Sequence, residues 1–156
     1  MIEALQEFTA SLPSWLQWLG VIAAGGIPFV ESYLGAVVGV LAGLPLPVAV
    51  GAAVLGNVAS MLVVVLGAHA VRGRVKGEQP DQSSPKRQKL RRAFDRYGVA
   101  GVSLVGQTIL PSQITSGAMV SFGASRNAVI GWQVVSIILW GVAFGVLATY
   151  GVDLLG

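Results

Sequence analysis

The sequence contains no cysteine, which excludes disulfides, thiolate metal sites and cysteine nucleophiles. Charged residues are scarce as well. They make up 11% of the chain, whereas the surface of a soluble domain carries roughly 25–35% of Lys, Arg, Glu and Asp. Apolar residues make up 54% of the chain, and this content excludes an intrinsically disordered protein. The composition therefore predicts an integral membrane protein.

Two apolar segments are long enough to cross a bilayer as helices. Residues 48–71 and 128–152 contain no Asp, Glu, Lys or Arg. A helix needs about 20 apolar residues to span the hydrocarbon core. We therefore predict a spanning helix in each of these two segments.

Residues 1–14 form a distinct segment ahead of the apolar ones. Glu3 and Glu7 stand where a secretory signal peptide would carry Lys or Arg. Apolar residues share one helical face of this segment, and Trp15 and Trp18 follow it, which is typical of the headgroup region. We predict an amphipathic helix that lies at the membrane interface.

Two further apolar segments are interrupted by proline. Residues 15–44 contain Pro28 and residues 97–124 contain Pro111. Proline lacks a backbone donor and clashes with the preceding turn, so it kinks or ends a helix. Each interrupted segment precedes one of the spanning helices. The chain is therefore predicted to consist of two related repeats, residues 15–71 and 93–156.

Paired Gly/Pro-interrupted segments in two matching halves indicate a transporter site. Each break is followed by a polar residue four positions before a Gly-Ala pair, Glu31 in the first repeat and Gln113 in the second. From Phe8 to Val71, Glu31 is the sole formal charge, and an acid in a membrane segment is a functional candidate because it is costly. A helix N-terminus also favours a carboxylate, so an acidic cap is the alternative for Glu31. The predicted substrate or proton site comprises Glu31, Gln113, Gln107, Pro28 and Pro111.

A basic stretch separates the two repeats. Nine of the ten basic residues lie between Arg72 and Arg96, which predicts a cytoplasmic loop over residues 72–92 by the positive-inside rule. No stacking aromatics are interleaved with these residues, so nucleic-acid binding is not predicted. The tenth basic residue, Arg126, favours re-entrant hairpins over the alternative of four kinked spans. Hairpins place Arg126 in the cytoplasm and both termini outside.

Small residues recur at the spacing that lets membrane helices approach closely. The glycines predicted to pack helices are Gly35, Gly39, Gly43, Gly117, Gly141 and Gly145. Polar residues within the spans are predicted to form hydrogen bonds between helices, namely Asn57, Ser60, Gln133 and Ser136. Two full spans make a thin bundle, so a homodimer is also expected.

The second repeat resembles the second hairpin and following helix of DedA-like membrane proteins. The resemblance is carried by "FDRYGVAGVSLVGQTILPSQITSGAMVSFGASRNAVIGWQVVSIILWG", in which the matching residues are Phe94, Arg96, Gly98, Pro111, Gly117, Ala118, Met119 and Phe122. The first repeat, "IPFVESYLGAVVGVLAGLP" followed by Gly56-Asn57, is similar to the small multidrug export protein family, which is related to DedA-like proteins. Together these stretches cover most of residues 20–145.

The resemblance implies a multi-pass protein of the bacterial plasma membrane that exports small molecules, with proton coupling as a hypothesis. One alternative is a DedA-like lipid or lipid-carrier flippase or scramblase, and another is a structural membrane subunit without transport. DedA-like proteins carry arginines around the second break, where this sequence has Gln107 and Gln113. A phosphate-bearing substrate would lose charge-assisted hydrogen bonds there.

The expected fold is an all-α integral membrane protein of two inverted-topology halves, each a proline-broken re-entrant hairpin followed by a spanning helix. The expected partners are the bilayer and a small-molecule or lipid substrate. No acid pair, activated nucleophile or phosphate-binding loop stands in the sequence. We therefore expect neither an enzyme nor a cofactor or metal.

Overall fold

In a computed structural model of the chain, residues 1–74, 85–107 and 109–155 are described, and these residues form helices and turns but no strand. The prediction of an all-α chain is confirmed for them. A 3₁₀ turn, Ser14–Leu16, follows the first helix. In chain order the helices are α1 Ile2–Ser11, α2 Gln17–Gly26, α3 Glu31–Leu41, α4 Leu46–Arg74, α5 Pro85–Gly106, α6 Ser112–Ser121 and α7 Arg126–Leu155.

The two predicted spanning segments lie inside the two longest helices, α4 and α7. Within them, Leu46–Gly67 and Arg126–Leu154 are long and apolar enough to cross a membrane. Neither stretch contains proline beyond its first turn, so nothing in the sequence interrupts their backbone hydrogen bonds. Length and composition thus confirm two candidate spans.

Helices α2 and α3 pack side by side and run in opposite directions. A Cβ placed on Gly35 would lie 3.1 Å from the Cα of Gly25, and one placed on Gly39 would lie 3.1 Å from Val21 Cγ2. The later residue of α3, Gly39, meets the earlier residue of α2, Val21, so the two helices are antiparallel. The proline-broken segment 15–44 is therefore a helical hairpin with its turn at residues 27–30.

The segment around the second proline folds in a similar way. A Cβ on Gly106 of α5 would lie 3.4 Å from Thr115 Cγ2 of α6. Farther from the break, the rings of Phe94 and Phe122 lie 5.9 Å apart, so α5 and α6 are also antiparallel. Thr108, in the connection between them, lies outside the described residues.

Both hairpins end in the same backbone motif. Gly43 follows α3 with φ 87° and Gly123 follows α6 with φ 107°. The amide of the next residue donates back to a helix carbonyl five positions earlier, Leu44 to Gly39 and Ala124 to Met119, each at 3.0 Å. This is the Schellman motif, in which glycine is favoured because it has no Cβ. A long helix begins three residues after each glycine.

The basic stretch departs from the predicted loop over residues 72–92. Residues 72–74 end α4, residues 85–92 begin α5, and residues 75–84 lie outside the described residues. The loop prediction is therefore corrected to helix at both ends. Within α5, Gly98 has φ 67° and ψ −169°, which divides the helix into a basic part before it and an apolar part after it. The second hairpin, predicted to begin at residue 97, takes its apolar arm from this later part.

The chain divides into two compact units. The first unit comprises residues 1–60 and 137–156, and the second comprises residues 61–136. Each unit contains residues of both predicted repeats, because the boundaries between the units fall within α4 and within α7. The sequence repeats are therefore not themselves the compact units.

In the first unit, the C-terminal part of α7 packs through small residues. A Cβ on Gly141 would lie 3.3 Å from Ser32 Cβ and from Val54 Cγ2. One on Gly145 would lie 2.8 Å from Val50 Cγ2. Both glycines, predicted to pack helices, thus lie where α7 approaches α3 and α4 closely. Gly35 and Gly39 lie close to α2 and α4, and in the second unit Gly117 lies close to α4.

The packing role predicted for Gly43 is corrected. No atom of the described residues lies within 4 Å of a Cβ built there. Its positive φ instead places it at the end of α3 as the cap described above. Sequence spacing alone could not distinguish this glycine from Gly35 and Gly39, because all three fall on one four-residue series.

Candidate functional site

The first break, residues 27–30, has an unusual backbone. Phe29 has φ 72° and Glu31 has φ 53°, and neither is glycine. Residues held in the left-handed region cost of order 1–3 kcal/mol each and persist only where their surroundings impose them. Such outliers cluster at functional sites, so this geometry marks the break as a candidate site.

The carboxylate of Glu31 is buried at this break. Its side chain has 0% exposure within the chain, which is rare for a carboxylate. Glu31 is also the first residue of α3, where the helix dipole favours negative charge. The N-cap residue itself, Val30, makes no side-chain cap hydrogen bond. The structure thus places the one acid of this apolar segment at the start of a helix and away from solvent.

Two side-chain hydrogen bonds hold the start of α3. The hydroxyl of Ser32 donates to the carbonyl oxygen of Ile137 on α7 at 2.7 Å. The hydroxyl of Tyr33 donates to the carbonyl oxygen of Phe29 at 3.1 Å, which bridges the break to the first turn of the helix. These bonds flank Glu31 and restrict how far its backbone can move.

Aromatic rings line α3 and α7 next to this break. The ring of Tyr33 meets that of Phe144 edge to face, with centroids 5.3 Å apart. Trp140 extends the cluster, with its ring 6.0 Å from Phe144. Aromatic faces attract organic cations through their quadrupole. Tyr33 lies two residues after Glu31, so a carboxylate and an aromatic cluster occupy the same end of α3.

The second break carries a cluster of buried polar side chains. Three helices and the connection between α5 and α6 contribute to it. All eight members are at most 5% exposed and none is charged: Ser103, Gln107, Ser112, Gln113, Thr115, Ser116, Gln133 and Ser136. We call this set the second-break cluster. So much polarity in an apolar chain needs hydrogen-bond partners, because an unpaired buried group costs about 1–3 kcal/mol.

Part of the second-break cluster joins α6 to α7. The amide nitrogen of Gln133 donates to the hydroxyl of Thr115 at 3.0 Å. Thr115 Oγ1 in turn lies 3.1 Å from the carbonyl oxygen of Ser112, to which it can donate. Ser116 also donates to the carbonyl of Ser112. The first turn of α6 is thereby tied to α7.

Another part of the cluster joins α5 to α7. Ser136 Oγ lies 2.7 Å from the carbonyl oxygen of Ser103 and 2.9 Å from Gln107 Oε1. A hydroxyl has a single proton, so it donates to one of these two oxygens at a time. Within the described residues, Ser103 Oγ, Gln107 Nε2 and Gln133 Oε1 have no hydrogen-bond partner. These three atoms are the groups of the cluster that a polar ligand could engage.

The structure groups the predicted site residues by unit. Gln107 and Gln113 belong to the second-break cluster, with exposures of 5% and 4%, and Pro111 is the N-cap of α6 beside them. Glu31 lies at the break of the first unit, and Pro28 lies in the turn that precedes it.

Glu31 and Gln113 were predicted to occupy equivalent positions in the two repeats, but they occupy different positions in their helices. Glu31 opens α3, whereas Gln113 is the second residue of α6. Counted from the cap glycines Gly43 and Gly123, the position of Glu31 corresponds to Pro111. The Gly-Ala pair of the first repeat begins eight residues before its cap glycine, and that of the second repeat begins six residues before its own. The two pairs therefore do not occupy equivalent positions.

Several polar residues of the second-break cluster were not predicted as site residues. Their signal was present, because Ser103 and Gln107 are four residues apart and Gln133 and Ser136 are three apart, so each pair shares one helical face. The interhelical hydrogen bonds predicted for Gln133 and Ser136 are confirmed. Ser60 donates to the carbonyl of Asn57 on its own helix at 3.1 Å.

No family model, curated protein or solved structure matches this chain.

Proposed function

We propose that the protein is a small membrane transporter that exports small molecules, with Glu31 as its proton- or cation-binding group. The observation that carries the proposal is a carboxylate with 0% exposure at a break between two apolar helices. A charge in such a place is expensive and is retained for function more often than for stability. A break at membrane depth must itself lie against protein or a wet cavity.

The aromatic cluster beside Glu31 favours a cationic organic substrate. Tyr33, Trp140 and Phe144 present ring faces and edges within the same unit as the carboxylate. A carboxylate supplies charge for such a ligand and aromatic rings supply cation–π attraction. The resemblance to small multidrug exporters agrees with this chemistry.

The uncharged second break argues for export of such molecules over a lipid-carrier flippase. A phosphate group is bound most strongly by charged donors, above all by arginine. The eight members of the second-break cluster include no charged side chain. The cluster is better suited to a neutral polar group or to a chain of hydrogen bonds that conducts protons.

The antiparallel packing of α2 on α3 supports re-entrant hairpins in the membrane. Val21 and Gly39 are 18 residues apart, which is about 27 Å along a continuous helix, yet they are in contact. One kinked spanning helix would hold them far apart. We propose that residues 15–44 and 97–124 enter and leave the bilayer on one side.

Single-cysteine labelling tests this topology, because the natural chain has no cysteine. We expect cysteines at positions 3 and 153 to react with an impermeant maleimide in intact cells. A cysteine at position 89 should react only after the cells are opened, because the basic part of α5 is proposed to face the cytoplasm. Protection of positions 3 and 153 in intact cells would contradict the hairpin topology.

Transport is tested with purified protein in liposomes that contain a pH-sensitive dye. An imposed gradient of tetraphenylphosphonium, an aromatic-rich organic cation, is expected to drive proton movement in the opposite direction. Protein-free liposomes define the background. Redistribution of fluorescent lipid without a gradient and without proton movement would favour a scramblase. Absence of both activities would favour a structural subunit without transport.

A further inference from the structure

A groove in the second unit has a composition unlike that of the second-break cluster. It has a volume of about 700 Å³ and runs along α5 to the start of α6. This volume is within the range of pockets that bind small molecules, about 300–1,000 Å³. Its walls are mostly apolar, and they include Leu90, Tyr97, Val105 and Ile109.

Charge and apolar surface are separated along this groove. Its two charged lining residues, Lys86 and Lys89, lie in the first turns of α5. The remaining walls continue past Gly98 to Ile109, which is 75% exposed, and Val105, which is 62% exposed. A ligand that fits must be anionic at one end and apolar along its length.

Two other basic side chains of α5, Arg87 and Arg91, are engaged with the end of α6. The guanidinium of Arg87 lies 5.2 Å from the centre of the Phe122 ring and donates to Ser121 Oγ at 2.9 Å. Arg91 also lies over Phe122 and pairs with Asp95 at 3.1 Å. These contacts attach α5 to the end of α6. Among the basic side chains of α5, Lys86 and Lys89 line the groove directly, and Arg96 lies over the ring of Tyr97 in its wall.

We propose that this groove holds one anionic phospholipid of the surrounding leaflet. Lys86 and Lys89 bind its phosphate, and the apolar walls cover one acyl chain. The bound lipid acts as a partner that secures α5 and is distinct from the transported molecule. This inference depends on the membrane placement proposed above, because the exposed apolar wall needs a lipid environment to be stable.

Lipid binding to the purified full chain in detergent tests the proposal. Phosphatidylglycerol is expected to bind and to raise the melting temperature, and phosphatidylcholine of the same acyl composition should do so weakly. Lys89→Gln removes a charge-assisted contact and should weaken phosphatidylglycerol binding about tenfold. Lys89→Arg should retain binding.

Two controls separate the groove from general attraction of anions. Arg92→Gln removes the same charge from the same helix. Because Arg92 lines a separate small pocket beside Phe122, this variant should change the affinity for phosphatidylglycerol less than twofold. Ala93→Phe fills the groove without changing charge and should abolish binding. Each variant must keep the wild-type melting temperature without added lipid.

Three results in the binding assay would overturn the proposal. These are equal losses in Lys89→Gln and Arg92→Gln, undiminished binding in Ala93→Phe, or displacement of the lipid by millimolar inorganic phosphate, which would assign the site to free phosphate. If the unsubstituted protein does not bind phosphatidylglycerol but still transports tetraphenylphosphonium, this inference is rejected and the proposed function stands.

Discussion

Gly56→Ala is expected to destabilise the first unit more than the glycine-to-alanine substitutions at Gly51 and Gly67 of α4. Gly56 faces the backbone of α2, and a Cβ there would overlap the carbonyl oxygen of Ile22 and lie 3.0 Å from the amide nitrogen of Gly26. Backbone atoms cannot rotate aside as a side chain can, so the two helices must separate. Overpacking of this kind costs about 1–3 kcal/mol, and a backbone collision lies at the upper end of that range.

Gly51→Ala is the matched control on the same helix. No atom of the described residues lies within 4 Å of a Cβ at Gly51, and alanine favours helix over glycine by about 1 kcal/mol. We expect this variant to melt at or above the wild-type temperature in detergent, and Gly56→Ala to melt well below it. Equal melting temperatures would contradict the close approach of α2 and α4.

This close approach explains why the small residues of the chain are concentrated where they are. Gly25 meets Ala53 in the same way, since a Cβ on Gly25 would lie 2.9 Å from Ala53 Cα. In the membrane placement proposed above, helices would gain little from the hydrophobic effect and would associate through tight packing of small residues. Four-residue glycine spacing predicted this on α3 and α7. It did not indicate Gly25 and Gly56, because each contacts a neighbour on another helix that no spacing rule identifies.

The elements of the fold were more predictable than their arrangement. Apolar length predicted α4 and α7, and proline predicted both breaks, because these features act locally on the backbone. Gly98 was not predicted as a break, since an isolated glycine is common in membrane helices. The division into two units was also not predictable, because it depends on which part of α7 packs against α3.

The candidate sites show the same limit. Glu31 stood out in the sequence because it is a lone charge, and the structure adds its burial and the positive φ of its backbone. The second-break cluster contains no charge, so its members resembled ordinary interhelical hydrogen-bonding residues. Only the folded chain shows that Ser103, Thr115 and their neighbours surround the break that holds Gln107 and Gln113.

Glu31→Gln is expected to abolish proton movement driven by tetraphenylphosphonium, with at least a tenfold loss of rate. Glutamine has nearly the same shape and keeps hydrogen-bonding capacity, but it cannot bind and release a proton. Glu31→Asp retains the carboxylate and should keep part of the activity. The substitution removes a charge from a fully buried position, so we expect the variant to fold.

Glu7→Gln is the matched control, because it removes an acid of the same type from an exposed position on α1. It should leave proton movement unchanged. If Glu31 serves only to cap α3, Glu31→Gln should cost about 0.5–2 kcal/mol of stability and leave transport intact. Full proton movement with a lowered melting temperature would therefore reject Glu31 as the coupling group. Lost movement at an unchanged melting temperature would separate the chemical role of the carboxylate from its place at the start of the helix.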